Sequence, residues 1–199
     1  AEARAKLGVG TKEKVLLFFG QIAPYKGLAY LVSALRHLVD EDQTYRLVIA
    51  GKPKWMGDYW TEVQGMIAEN GLNSYITERI EHVPDEETEV FFKAADLLIL
   101  PYTDIFQSGV LFLGYNFGLP AVVTDVGSLK EDIVEGETGF VCKPKDSADL
   151  AATIRRYFAS PCFHELDRRR PLIRQFANER YSWSKVAAIT KAVYLDLAG

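Results

Sequence analysis

Two short segments of this chain combine residue types that bind anions. In the first, the apolar run Val15–Phe19 ends at Gly20-Gln21, and a turn through Pro24-Tyr25 delivers Lys26 to the start of an amphipathic stretch. Glycine after a strand lets the backbone approach a ligand closely, and a lysine entering a helix supplies counter-charge for a phosphate. In the second, Gln107-Ser108-Gly109-Val110 opens a short helix that leads into the buried run beginning at Ala121. Ser108 is a favourable N-cap type, so the first N–H groups of that helix would stand at its positive dipole end, with Gly109 leaving room for a ligand. Each feature also has an ordinary reading: Gly20 as a strand-to-loop turn, Ser108 as a plain cap, Lys26 as a solvated surface lysine. Their joint occurrence favours a phosphate site.

Other chemistry finds little support. His37, His82 and His164 share no spacing, and Cys142 and Cys162 stand alone without a CxxC pair. No metal site is expected, and the cysteines read as reduced thiols. A net charge of −4 over 199 residues argues against a general nucleic-acid binder, although it leaves room for a local basic pocket. No apolar run approaches the roughly 20 residues that cross a bilayer, and the first residues lack a signal-peptide core, so a cytoplasmic protein is expected. The basic run Arg168-Arg169-Arg170, with Arg155, Arg156 and Arg174, allows peripheral contact with anionic lipid at the inner membrane face. Nearby Glu165 and Asp167 make a solvated charged helix face the stronger reading.

The elements that must hold these residues alternate along the chain. Strands are expected at Val15–Phe19, Arg46–Ala50, Arg79–Val83, Leu97–Leu100, Ala121–Thr124 and Gly139–Cys142, as β-branched, aromatic or leucine-rich runs bounded by turn residues. Between them lie helices, one with Leu28, Leu31, Val32, Leu35 and Leu38 at helical spacing and one capped by Asp85 that carries Val90, Phe91 and Ala94 inward. This predicts a doubly wound α/β fold, a Rossmann-like parallel sheet of about six strands with helices on both faces. A helical segment closes the chain, with Asp146 and Ser182 as caps and Val186, Ile189, Val193 and Leu197 on its last helix.

Taken together, the strand–Gly20–Tyr25-Lys26-Gly27 segment, the Gln107–Val110 helix start and Gly118-Leu119-Pro120 before a buried strand resemble the C-terminal domain of the group 1 glycosyltransferases, retaining enzymes of GT-B architecture. The resemblance covers nearly the whole chain. It implies a nucleoside-diphosphate-sugar donor, transfer of the glycosyl group to an acceptor hydroxyl with retention, and synthesis of a polysaccharide or glycoconjugate, with no metal and no cofactor. The donor would be bound by Gly20, Gln21, Lys26, Lys52, Val83, Gln107, Ser108, Gly109 and Val110. His82 or Val83 would approach the base from the strand edge where such sheets take ligands. Gly51-Lys52 matches the family's second glycine turn, though turn geometry and solubility explain both residues equally well. Residues 1–12 read as a lead-in and 13–199 as the donor half. The sugar or lipid-linked acceptor would be held by an N-terminal domain, without which this half is expected to be inactive. Tyr181-Ser182-Trp183 resembles the motif opening a helix that crosses back to that domain.

Three departures from the family pattern bear on catalysis. Gln21 stands where many members carry arginine, and Ile105 and Leu113 stand where many carry a pair of glutamates, the second usually assigned to the ribose hydroxyls. No catalytic residue is assigned, and Glu131 and Asp132, near the same edge, read as helix-capping acids. An alternative is a non-catalytic nucleotide-sugar-binding module. A nucleotide-sugar epimerase is the weaker alternative, because Gly20-Gln21-Ile22-Ala23-Pro24-Tyr25 does not match G-x-G-x-x-G.

Overall fold

The computed structural model describes residues 1–54, 58–181 and 183–198. It contains a sheet of six parallel strands in the order β3-β2-β1-β4-β5-β6: β1 (Lys14–Phe19), β2 (Tyr45–Ala50), β3 (Ile76–Arg79), β4 (Leu97–Leu100), β5 (Ala121–Thr124) and β6 (Gly139–Cys142). A short helix α1 (Glu2–Lys6) precedes β1, α2 (Leu28–Glu41) and α3 (Asp58–Glu69) flank β2, and α4 (Asp85–Ala94) and α5 (Gly109–Asn116) flank β4. After β6 the chain is helical, through α6 (Ser147–Phe158), α7 (Pro161–His164), α8 (Leu166–Tyr181) and α9 (Trp183–Ala198). The expected doubly wound architecture is therefore present.

Strand sequence explains the layering. Successive side chains of a strand point to opposite faces, and helices cover both. Leu16 and Phe18 of β1 and Leu97 and Ile99 of β4 thus join a core with α2, α3 and α6. Their neighbours Val15, Leu17, Leu98 and Leu100 join a second core with α4, α5 and α8. Leu28, Leu31, Val32, Leu35 and Leu38 are all fully buried, which is why α2 lies on the sheet. Burying one such leucine is worth about 1.5–3 kcal/mol, so the stripe dominates the attachment of α2.

Several expected boundaries move; β1 and β2 each begin one residue early, at Lys14 and Tyr45. The third strand occupies Ile76–Arg79, not Arg79–Val83, because it pairs in register with β2 from Leu47↔Ile76 to Ala50↔Arg79. As an edge strand with an intermediate-to-exposed pattern, it needs little apolar character, so Ile-Thr-Glu-Arg serves. The chain then leaves the sheet, and His82 and Val83 lie in the loop beyond it. Helix α4 takes Pro84 at its N-cap, so Asp85 is its first residue and has no capping bond. Phe91 and Ala94 are buried as expected, whereas Val90 is half-buried. Asp146 caps α6, its carboxylate accepting from the Asp149 N–H at 2.9 Å. Ser182 lies outside the described residues, and Ile189, Val193 and Leu197 of α9 are exposed.

Arg4 anchors the first segment. Its guanidinium donates to both carboxylate oxygens of Asp96 at 2.7 Å, and Asp96 also accepts from the Val15 N–H at 2.8 Å. Arg170 likewise turns inward, donating to the carbonyls of Ala95 at 2.6 Å and Phe117 at 3.2 Å. It ties α8 to the C-terminal ends of α4 and α5, so the basic run is not one continuous charged face.

Candidate functional site

Strand order reverses between β1 and β4. Chain leaving β1 runs toward β2, and chain leaving β4 runs toward β5, so a crevice opens beyond the carboxyl ends of these adjacent strands. The two segments singled out in the sequence as candidate phosphate sites lie there, one after each strand.

After β1, a single 3-10 turn, Pro24–Lys26, ends at Gly27 in the left-handed conformation with φ +69°. A side chain at Gly27 would collide with the carbonyl oxygen of Pro101, the first residue after β4. The Thr103 N–H donates to the Tyr25 carbonyl at 2.8 Å and fastens the two loops together. Lys26 is thereby aimed across the crevice, its Nζ 3.9 Å from the centre of the Tyr102 ring. Burial, with a smaller contribution from the charge of Lys54, lowers its pKa to about 8. Among the described residues no carboxylate forms an ion pair with it.

After β4, Ser108 occupies the N-cap position of α5, but its hydroxyl makes no capping bond. It is buried and lies 3.2 Å from the Tyr102 hydroxyl. The ordinary reading of Ser108 as a plain cap does not hold: its hydroxyl meets the buried tyrosine, and the Gly109 and Val110 N–H groups have no acceptor among the described residues. Gly109 is exposed, with open space where a side chain would project. Gln107 is exposed beside it. Orphan amides at a helix start, a positive dipole end and a nearby ammonium together favour a bound anion.

Next to this lies a cleft of about 650 Å³. Gly20, Gln21, Lys52, His82 and Val83 line it, as do Phe19, Asp85, Thr88, Leu113 and Phe117. The cleft and the start of α5 meet where Gly20 faces Val110, since a Cβ on Gly20 would stand 3.3 Å from a Val110 methyl. The structure therefore divides the expected residues into two adjoining compartments. Gly20, Gln21, Lys52 and Val83 flank the cleft, and Lys26, Gln107, Ser108, Gly109 and Val110 surround the helix start.

Tyr102 is the residue that sequence reasoning missed. Its ring face holds Lys26, its hydroxyl meets Ser108, and its carbonyl accepts from the Thr124 hydroxyl at 2.6 Å. Its place directly beyond β4, at the carboxyl edge, was the available signal. Tyr102→Phe keeps the ring under Lys26 and should weaken anion binding less than about fivefold. Tyr102→Leu removes both supports and should weaken it more than about tenfold, as calorimetry can measure.

Leu113 lines the cleft with an apolar side chain where a ribose-binding carboxylate was sought. Asp132 is buried and accepts from the Tyr181 hydroxyl at 2.6 Å, and the Glu131 carbonyl accepts from Arg180 at 3.0 Å. Both residues belong to the 3-10 turn Leu129–Asp132, where the Asp132 carboxylate packs against α8 while the exposed Glu131 meets α8 only through its backbone carbonyl. Cys142 and Cys162 are free and buried. Among the described residues no cluster of His, Cys, Asp or Glu could hold a metal, and no helix is long and apolar enough to cross a membrane.

Known proteins share the fold and part of the sequence. The chain is 30% identical over 208 residues to D-inositol 3-phosphate glycosyltransferase of Streptomyces bingchenggensis, the match covering 98% of this chain and 43% of that protein. Sucrose-phosphate synthase from Thermosynechococcus elongatus superposes with a TM-score of 0.84 at 23% identity, over 98% of this chain and 48% of that one. Anabaena HepE in complex with UDP superposes with a TM-score of 0.80 at 21% identity, over 99% and 51%. These two establish the fold, and the chain spans less than half the length of the curated relative. The family described as glycosyl transferases group 1 matches residues 1–175, and this chain belongs to that family.

Proposed function

We propose that this chain binds a nucleoside-diphosphate sugar and forms the donor half of a retaining glycosyltransferase. The observation that carries this reading is the convergence of Lys26 and the uncapped start of α5 on one buried ring, Tyr102, beside a cleft of nucleoside size. The diphosphate lies against the Gly109 and Val110 N–H groups and Lys26. The nucleoside occupies the cleft between Gly20-Gln21 and His82-Val83, with Lys52 at its rim. UDP and UDP-glucose complexes of HepE, a protein of the same fold, support a nucleotide-sugar ligand for this chain.

In the reaction, the bond from the anomeric carbon to the diphosphate oxygen breaks, and a bond to the acceptor oxygen forms on the same face of the sugar. The acceptor hydroxyl passes its proton to the departing diphosphate oxygen, on which negative charge builds as the bond to the anomeric carbon breaks. Fixed amides and an ammonium aimed at that charge stabilise the transition state more than the ground state, without a metal. The acceptor, a sugar or a lipid-linked glycan, is held by an N-terminal domain. Titration calorimetry with UDP, GDP, ADP and their hexose conjugates tests the reading. Selective micromolar binding of one nucleotide is expected, and no binding to any of them overturns it.

Leu113 and Ile105 favour a second reading, a binding module that has lost transfer, because neither can anchor a ribose as a carboxylate does. Thr88 and Asp85 line the same cleft and offer hydroxyl and carboxylate partners in their place. Donor hydrolysis or transfer by the protein carrying both domains would reject the module. With Arg170 turned inward and Arg155 and Arg156 paired to Glu41 and Glu135, sedimentation with liposomes should show no preference for anionic lipid.

A further inference from the structure

The loop after β2 is stitched to the loop after β1. The Ile22 N–H donates to the Lys52 carbonyl at 2.9 Å, the Lys54 N–H donates back to the Ile22 carbonyl at 2.9 Å, and Ile22 and Pro53 form a parallel bridge. Close approach is possible because Gly51, at φ +151°, has no side chain to strike the Gly20 carbonyl oxygen. The stitching carries Lys54 to the aromatic side chain that precedes Lys26. The Nζ of Lys54 lies 5.2 Å from the centre of the Tyr25 ring, and the Nζ of Lys26 lies 5.5 Å from the same centre.

Two ammonium groups gathered around one ring repel each other; burial is the main cause of the lowered Lys26 pKa, and the charge of Lys54 adds to it. An anion between them removes the cost. A sugar diphosphate has a negative charge on each phosphate, and more builds on the departing oxygen as its bond breaks. Lys26 alone leaves part of that charge unbalanced. Position 21, on the stitched loop, is the uncharged Gln21.

We propose that Lys54 is the second diphosphate cation of this site, meeting one phosphate while Lys26 meets the other across Tyr25. The assignment rests on the donor-binding reading above, and it gives this chain a cation from the β2 loop in place of one at position 21. A nucleoside monophosphate, having a single phosphate, engages Lys26 and the α5 amides and leaves Lys54 without a role.

Calorimetry on this chain compares UDP, GDP and ADP with UMP, GMP and AMP, in the wild type, in Lys54→Met and in Lys54→Met combined with Gln21→Arg. Lys54 is exposed, so its substitution leaves the core untouched. For whichever base the wild type prefers, Lys54→Met should weaken the diphosphate about tenfold and the monophosphate less than about twofold. Adding Gln21→Arg should restore most of the loss. Unchanged diphosphate affinity in Lys54→Met, or an equal loss for mono- and diphosphate, overturns the assignment and leaves the donor-binding reading standing. A wild type that binds no nucleotide overturns both.

Discussion

Lys26→Met is expected to weaken nucleoside diphosphate binding by about 30-fold, or about 2 kcal/mol, the usual value of a hydrogen bond to a charged group. Methionine keeps an apolar chain against the Tyr102 ring, so the loss reports the charge rather than the packing. On the proposed function, turnover by the protein carrying both domains should fall along with affinity, because the ammonium would face charge that grows as the diphosphate leaves. The same lysine makes binding depend on pH. Its value in the free protein is about 8, and an anion beside it favours the charged form and raises that value. Binding near pH 8 must then take up protons, which calorimetry in buffers of different ionisation enthalpy detects. Affinity should fall as pH rises above about 8, by up to roughly tenfold per unit, and Lys26→Met should flatten this profile. Stability of the free protein moves the opposite way. The unfolded lysine, near 10.5, binds more protons than the folded one, so stability rises with pH from about 8 to 10.5.

The second large effect concerns the turn that aims Lys26. Gly27→Ala should lower the unfolding free energy by about 3 kcal/mol in a denaturant titration. A left-handed alanine costs about 1–2 kcal/mol, and overlap with a neighbouring group adds roughly 1–3 kcal/mol. That overlap falls on the Pro101 carbonyl oxygen, backbone that cannot swing aside as a side chain would. Relief would separate the β1 and β4 loops, draw Lys26 away from Tyr102 and weaken anion binding as well. Gly109→Ala provides the contrast, since a Cβ there meets open space and φ is not positive. It should leave stability intact, and an equal loss in both variants would sink the steric account.

The sheet was legible in the sequence because five of its strands are buried or nearly so. Runs such as Leu97–Leu100 and Ala121–Thr124 admit no polar residue until Thr124, whose hydroxyl is spent on the Tyr102 carbonyl. The third strand escaped the same logic. An edge strand is specified by register with its neighbour, and Ile-Thr-Glu-Arg has no apolar signature to place it. At the candidate site, the placement of Gly20, Lys26 and Gly109 was legible because strand–turn–helix spacing fixes where backbone and charge must go. Tyr102 was not, because its role exists only once Lys26 and Ser108 arrive from different loops. The direction of the Ser108 hydroxyl was equally hidden, since serine at a helix start suits a cap or a tertiary partner, and burial beside a tyrosine chose the partner.

Retained charge at the helix start is the centre of this account. A crystal structure of the chain with its preferred nucleoside diphosphate tests it most directly. Phosphate oxygens are expected within hydrogen-bond distance of the Gly109 and Val110 N–H groups and of the Lys26 Nζ, with the nucleoside in the cleft beside Gly20 and Val83. A nucleotide bound elsewhere, leaving the start of α5 and Lys26 without a phosphate, would contradict it.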